Sequence, residues 1–290
     1  MSQARIDQGF ATRREIDVQL YPRPVKRPVR VRRQDLENKL AALQQDYAEL
    51  HTAIFEAAQI HRRLCAPRLL RHGEFEIASE IFAVRHLPGD FFTVHETADG
   101  VTLALGDICG KGLAAGMWTT YLVRLIAAHA AATNRPEAIA AGLNREICSR
   151  ETFLPLASLF LITTNTATGV FNYCSAGHPP ALLLRANGTL EKLTEGGMLL
   201  GAVSTAPYVS GCFELNAGDV LLVYSDGITE SENSQGEEFG DARLEEQLRG
   251  GHTGDANTVL FSVLGAVQDF AAANPLIDDM SVAVVRRTVH

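Results

Sequence analysis

The sequence predicts an α+β layered domain with antiparallel sheets, preceded by a heptad-repeat helix. Three observations carry this. Short apolar runs cluster with one another, helical patterns come in pairs, and apolar residues over 34–64 recur at alternating spacings of 4 and 3. Strands that follow strands, rather than alternating with helices, argue against a parallel βαβ sheet.

Residues 1–33 hold nine Lys/Arg against three acids, with Pro22, Pro24 and Pro28. X-Pro repeats favour extended backbone, so this zone is predicted to be a flexible basic arm. With a total charge of −8, the arm's +6 leaves −14 for the rest. That acidic remainder disfavours nucleic-acid binding by the main domain.

Residues 34–64 form a coiled-coil or regulatory helix by pattern. Leu36, Leu40, Leu43, Tyr47, Leu50, Ile54, Ala57, His61 and Leu64 make one seam. Such a stripe suits either a second copy of the chain in a parallel dimer or the flank of the main domain.

The main domain spans 66–290. Apolar runs bounded by turn signals place strands near 74–82, 90–96, 101–107, 157–163, 169–175, 181–185, 208–215, 219–225 and 280–287. Helices are expected at about 112–132, 136–149, 241–249 and 256–272, Pro136 suiting a helix start. Asp99-Gly100, Asn187-Gly188 and Ala217-Gly218-Asp219 are read as tight hairpins. Trp118 is expected in the core of the first of these helices.

A chain of 290 residues, 46% hydrophobic and 21% charged, is neither collagen-like nor wholly disordered. The five cysteines are odd in number, far apart and never in a C-x-x-C pair, which disfavours a disulfide framework or a cysteine-rich zinc site. The first residues lack the apolar core of a signal peptide. The longest apolar stretch, Gly112–Thr133, is broken by Arg124 and His129, so no membrane span is expected. A reducing cytoplasm is the compartment these features predict.

The chemistry lies in aspartates set beside turns and at strand ends. Asp90 follows Pro88-Gly89, Asp107 sits in GDICGKG, Asp226 in Ser-Asp-Gly, and Asp278-Asp279 precede Met280-Ser281. Aspartate is a poor strand residue, and carboxylates that converge raise one another's pKa. A divalent cation relieves both problems. Oxygen donors without a His/Cys set favour Mg²⁺ or Mn²⁺ over zinc. The alternative for each aspartate alone is a turn cap. GDICGKG is not a phosphate-binding P-loop: its first two glycines are one residue too close, and Gly112 stands where a hydroxyl would hold magnesium.

Gly89-Asp90, GDICGKG (106–112), NYCSAGHPP (172–180), LLVYSDGITE (221–230) with GEEFG (236–240), and DDMSVAVV (278–285) occur in this order. Together they resemble the bacterial SpoIIE/RsbU-type protein serine/threonine phosphatases of the metal-dependent, type-2C-like (PPM) superfamily. The resemblance implies an αββα sandwich of two antiparallel sheets flanked by helix pairs. It implies two Mn²⁺ or Mg²⁺ ions, held by Asp90, Asp107, the Ile108 carbonyl, Asp226 and Asp278, with Asp279 as the alternative to Asp278. It also implies hydrolysis of phosphoserine or phosphothreonine by metal-activated water, on a STAS-type anti-sigma-factor antagonist.

Lys111 and His178 are candidates on the substrate side, Lys111 as a phosphate-orienting helper and His178 as a general acid. The other readings are a solvated loop lysine and a structural turn histidine. The first motif departs from the family's Gly-Gly-Asp by reading Pro88-Gly89-Asp90, and Thr93 replaces a frequent later aspartate. An activator docking on the 34–64 helix and a homodimer complete the expected partners. The competing expectation is a weak or inactive phosphatase-like dimeric scaffold.

Overall fold

The computed structural model describes residues 33–65, 69–97, 100–149, 155–164, 170–272 and 274–287. Nearly all of the basic arm, and Asp99 of one expected hairpin, lie outside these.

Helix α1 runs from Arg33 to Cys65. The chain divides into two compact units inside it, between Glu49 and Leu50. In the first unit Leu36, Leu40, Leu43 and Tyr47 are 56–67% exposed. In the second unit, Ile54 and Ala57 are half-buried and His61 is buried, as is neighbouring Cys65, while Leu50 and Leu64 remain 60% and 54% exposed. Arg62 pairs there with Glu80 of the main domain. Part of the C-terminal half packs on the domain, and Leu36, Leu40 and Leu43 in the N-terminal half are exposed.

The domain contains two sheets. One has the order β1 (Leu69–His72), β2 (Phe75–Phe82), β12 (Met280–Arg287), β11 (Val220–Tyr224), β7 (Ala181–Leu184), β8 (Leu190–Leu193). The other runs β10 (Gly211–Glu214), β6 (Val170–Ala176), β5 (Ala157–Thr164), β4 (Gly100–Ile108), β3 (Phe91–Thr97). All pairs along these two paths are antiparallel, and the two-residue β9 (Gly196–Gly197) adds a parallel pair to β6.

Period-two alternation gives each sheet two apolar faces. Leu103 and Leu105 of β4, Phe160 of β5, and Leu221 and Val223 of β11 meet between the sheets. Helices α2 (Leu113–Ala130) and α3 (Pro136–Cys148) bury Ile126, Ile139 and Leu143 on the outer face of the β4–β5 sheet. Helices α5 (Gly240–Gly251) and α6 (Ala256–Ala271) cover the other sheet through Leu244, Leu248, Val259 and Val263. The result is the four-layered αββα sandwich.

The main helices and strands fall where the pattern places them. Trp118 is partly buried against the α2–α3 core. One expectation is corrected. Ala217-Gly218-Asp219 is not a hairpin, because β10 and β11 belong to different sheets. The turn carries the chain across the sandwich, with Asp219 buried and paired to Arg185 at 2.9 Å. Strands β1, β8 and β9 and the one-turn helix α4 (Asp226–Thr229) were not anticipated, being too short to show a period.

Candidate metal centre

The aspartates collect where the inter-sheet core runs out. On β4, Val101, Leu103 and Leu105 face the opposite sheet, and Asp107 is next in that phase. Ser158 of β5, Ser175 of β6, and Ser281 of β12 continue the inward phases of their strands, as does Ser225 just after β11. Each apolar face thus ends in a polar residue, and these rim a crevice between the sheets.

Asp90 is the deepest, at 2% exposure. Burial first, and the Asp107 charge second, hold its carboxyl well above the usual range, against the lowering effect of the Ser281 and Ser225 hydroxyls. Asp107 is pushed up to about 6, by burial and then by Asp226, although its hydrogen bond with Asp90 works the other way. Burial, then Asp278, raises Asp226. The structure therefore brings Asp90, Asp107, Asp226 and Asp278 into one field of mutual repulsion.

Asp278 and Asp279 take different parts, as neighbours on an extended chain must. Asp279 is buried, and its two oxygens accept hydrogen bonds from the backbone N–H groups of Val84 and Gly89, each at 2.7 Å. It thereby anchors the loop leading into Asp90. The Asp278 side chain is 40% exposed and meets Lys111 Nζ at 2.8 Å. Lys111 also donates to the Ile277 carbonyl at 2.8 Å, so this exposed lysine is held as a cation at the edge of the cluster.

His178 lies apart from the carboxylates. It is buried against Ser158, whose Oγ is 2.7 Å from Nδ1, and burial lowers its pKa to about 3. A ring held neutral by burial is poorly suited to act as a general acid near neutral pH. Thr93 shares the helix-facing side of β3 with Phe91 and contacts His95 at 3.0 Å, so its departure from the motif does not touch the cluster.

Among the described residues no three His, Cys, Asp or Glu side chains are drawn tightly enough round one point to ligate an ion as placed. The donor set nevertheless fits a hard divalent cation. Asp90 Oδ2 is buried without a hydrogen-bond partner. Three oxygens surround Gly89: a Cβ there would lie 2.9 Å from the Ile108 carbonyl and 3.0 Å from both Asp107 Oδ1 and the Gly110 carbonyl. Gly227 is required for a similar reason, since its Cβ would lie 2.0 Å from the Asp279 carbonyl. Only glycine lets α4 seat Asp226 against β12.

The cluster opens on a pocket of about 80 Å³ lined by Gly227, Glu230, Ser231, Glu238, Ile277 and Asp278. A wider depression of about 610 Å³ sits at the β7–β8 hairpin, but there Arg185 is already paired with Glu191 and Asp219. The inward hydroxyls of Ser225 and Ser281 and the anchoring role of Asp279 escape motif reading. The alternation in LLVYS and SVAVV is the sequence signal that marks both serines as inward-facing.

The family model of Stage II sporulation protein E (SpoIIE) matches residues 97–288. Over 244 residues the chain is 23% identical to the phosphoserine phosphatase RsbU of Bacillus subtilis, covering 83% of this chain and 72% of that one. The SiaA-PP2C domain of Pseudomonas aeruginosa superposes with a TM-score of 0.71 at 18% identity, covering 85% and 98% of the two chains. The catalytic domain of the serine/threonine phosphatase PstP, in complex with two manganese ions, gives 0.51 at 20% identity, with 74% and 99% covered.

Proposed function

The chain belongs to the SpoIIE family of PP2C-like serine/threonine phosphatases, and from that premise we propose that it hydrolyses phosphoserine or phosphothreonine on a regulatory protein with the help of two Mn²⁺ or Mg²⁺ ions. The observation that carries this reading is the convergence of buried Asp90, half-buried Asp107 and the more exposed Asp226 and Asp278 on one field of mutual repulsion, with Lys111 as a cation at its edge. Asp90, Asp107, Asp226 and Asp278, with the Ile108 carbonyl, would hold the ions. When bound, such ions lower the pKa of water and offset charge on phosphoryl oxygens.

The chain's own groups do the positioning. Asp279 fixes the loop that presents Asp90, and Gly89 keeps that loop against the Ile108 carbonyl. Lys111, held by Asp278 and the Ile277 carbonyl at the mouth, supplies a positive charge beside an incoming phosphate ester. The raised carboxyl pKa values make ion binding and protonation compete for the same oxygens.

The family resemblance supports a STAS-type anti-sigma-factor antagonist as substrate. The exposed stripe of Leu36, Leu40 and Leu43 supports a homodimer, or an activator docking on α1. Hydrolysis of a chromogenic aryl phosphate in Mn²⁺, repeated with Asp107→Asn and Asp226→Asn, tests the activity. Turnover that either change abolishes is the expected result. No turnover with Mn²⁺ or Mg²⁺, alone or with a phosphorylated STAS-type protein, would instead identify a scaffold.

A further inference from the structure

The motif Ala176-Gly177-His178-Pro179-Pro180 has no part in the chemistry above, yet it lies where the chain leaves one sheet for the other. β6 ends at Ala176 in one sheet, and β7 begins at Ala181 in the opposite one. Pro179 and Pro180 have no backbone N–H, so this crossover cannot be held through those positions. His178 holds it instead. Its N–H donates to Ser175 Oγ at 3.2 Å, and Ser175 Oγ donates to its carbonyl at 3.0 Å. Its ring reaches to Ser158 Oγ at 2.7 Å. Ser158 is the β5 residue paired directly with Asp107 of β4. On the other sheet, the crossover runs directly into β7, which pairs with β11, the strand that ends at Tyr224 two residues before Asp226.

The two sheets carry different parts of the centre. Asp107 rides one; Asp226 and Asp278 ride the end of the other. Their spacing depends on how the sheets sit at this end, where the apolar filling has stopped. His178, buried on the crossover between the sheets and bonded to Ser158 beside Asp107, sets that spacing. We infer that His178 is a positioning residue for the metal centre, holding the Asp107-bearing strand pair in register with the strand end that presents Asp226.

This rests on the proposed metal-dependent function, and the test separates the two. Mn²⁺ binding is measured by calorimetry on chelator-treated protein for wild type, His178→Leu, His178→Gln and Ser158→Ala. Phosphatase activity is titrated with Mn²⁺ alongside, and melting is recorded in chelator. His178→Leu is expected to weaken Mn²⁺ binding by about 10–100-fold, the range for groups that orient metal ligands. Activity at limiting Mn²⁺ falls with it and recovers as Mn²⁺ is raised. His178→Gln restores part of the affinity by keeping a polar partner for Ser158. Ser158→Ala shifts affinity in the same direction by less, and decides the matter if His178→Leu does not fold. Affinity within twofold of wild type in His178→Leu, or in Ser158→Ala where that variant decides, would overturn the inference, with or without a lower melting temperature. A wild-type protein that binds no Mn²⁺ would remove the proposed function itself.

Discussion

Replacing Asp107 by asparagine should stabilise the metal-free protein while destroying its response to metal. The Asp107 carboxyl is raised from 3.8 to about 6 by burial and by Asp226. A shift of about two units corresponds to roughly 3 kcal/mol, at about 1.4 kcal/mol per unit. In the unfolded chain the group ionises near pH 4, in the folded chain near 6. Between these values the folded state holds the proton that the unfolded state has lost. Stability from this group therefore falls as pH rises from about 4 to 6, and the full penalty stands at pH 7.

Asparagine keeps the shape and removes that charge, and also part of the repulsion that Asp107 exerts on Asp90. For a domain of this size, 3 kcal/mol moves the melting temperature by roughly 6–12 °C. The assay is thermal unfolding of both proteins in chelator from pH 4.5 to 8, then in Mn²⁺. In chelator the variant should melt higher at pH 7, with the gap closing toward pH 4.5. In Mn²⁺ wild type should gain and the variant should not. A variant that melts at or below wild type in chelator at pH 7 would refute the claim that the cluster is a region of unrelieved repulsion.

Three further outcomes follow from named contacts. Asp279→Asn can accept both loop N–H groups only by sharing its single side-chain oxygen, so denaturant unfolding in chelator should show a loss of about 1–3 kcal/mol. Gly89→Ala forces a methyl against the Ile108 and Gly110 carbonyls and Asp107 Oδ1, so phosphatase turnover should drop at least tenfold, on the order of 1.4 kcal/mol or more, while the fold survives by circular dichroism. Leu40→Glu with Leu43→Glu should shift sedimentation toward the monomer and leave the melting temperature within a few degrees; an unchanged sedimentation coefficient would exclude pairing through the exposed half of α1.

Much of this molecule can be read without coordinates, for a local reason. Period-two runs such as VTLALGD and LLVYSD, and the helical pattern after Pro136, are written in nearest neighbours. The carboxylates at their ends stand out because aspartate is rare after buried strand residues. What stayed hidden depends on contacts between distant residues. Asp278 and Asp279 look alike in sequence, yet one meets Lys111 and the other binds Val84 and Gly89, 195 and 190 residues away. His178 leaves a general-acid reading open beside the favoured structural turn histidine, and its partner, Ser158, cannot be read from the chain. The turn at 217–219 has hairpin chemistry, but the sheet that β11 joins is chosen by its pairing with β7 and β12.

Chain chemistry alone thus specified the alternating strands, the paired helices and the acidic ends that ask for a counter-charge. Packing assigned the rest: which aspartate faces the crevice, which one ties down a loop, and which half of one apolar stripe is covered. Those assignments rest on burial and on pairings across the sandwich, quantities that no local pattern of residues contains.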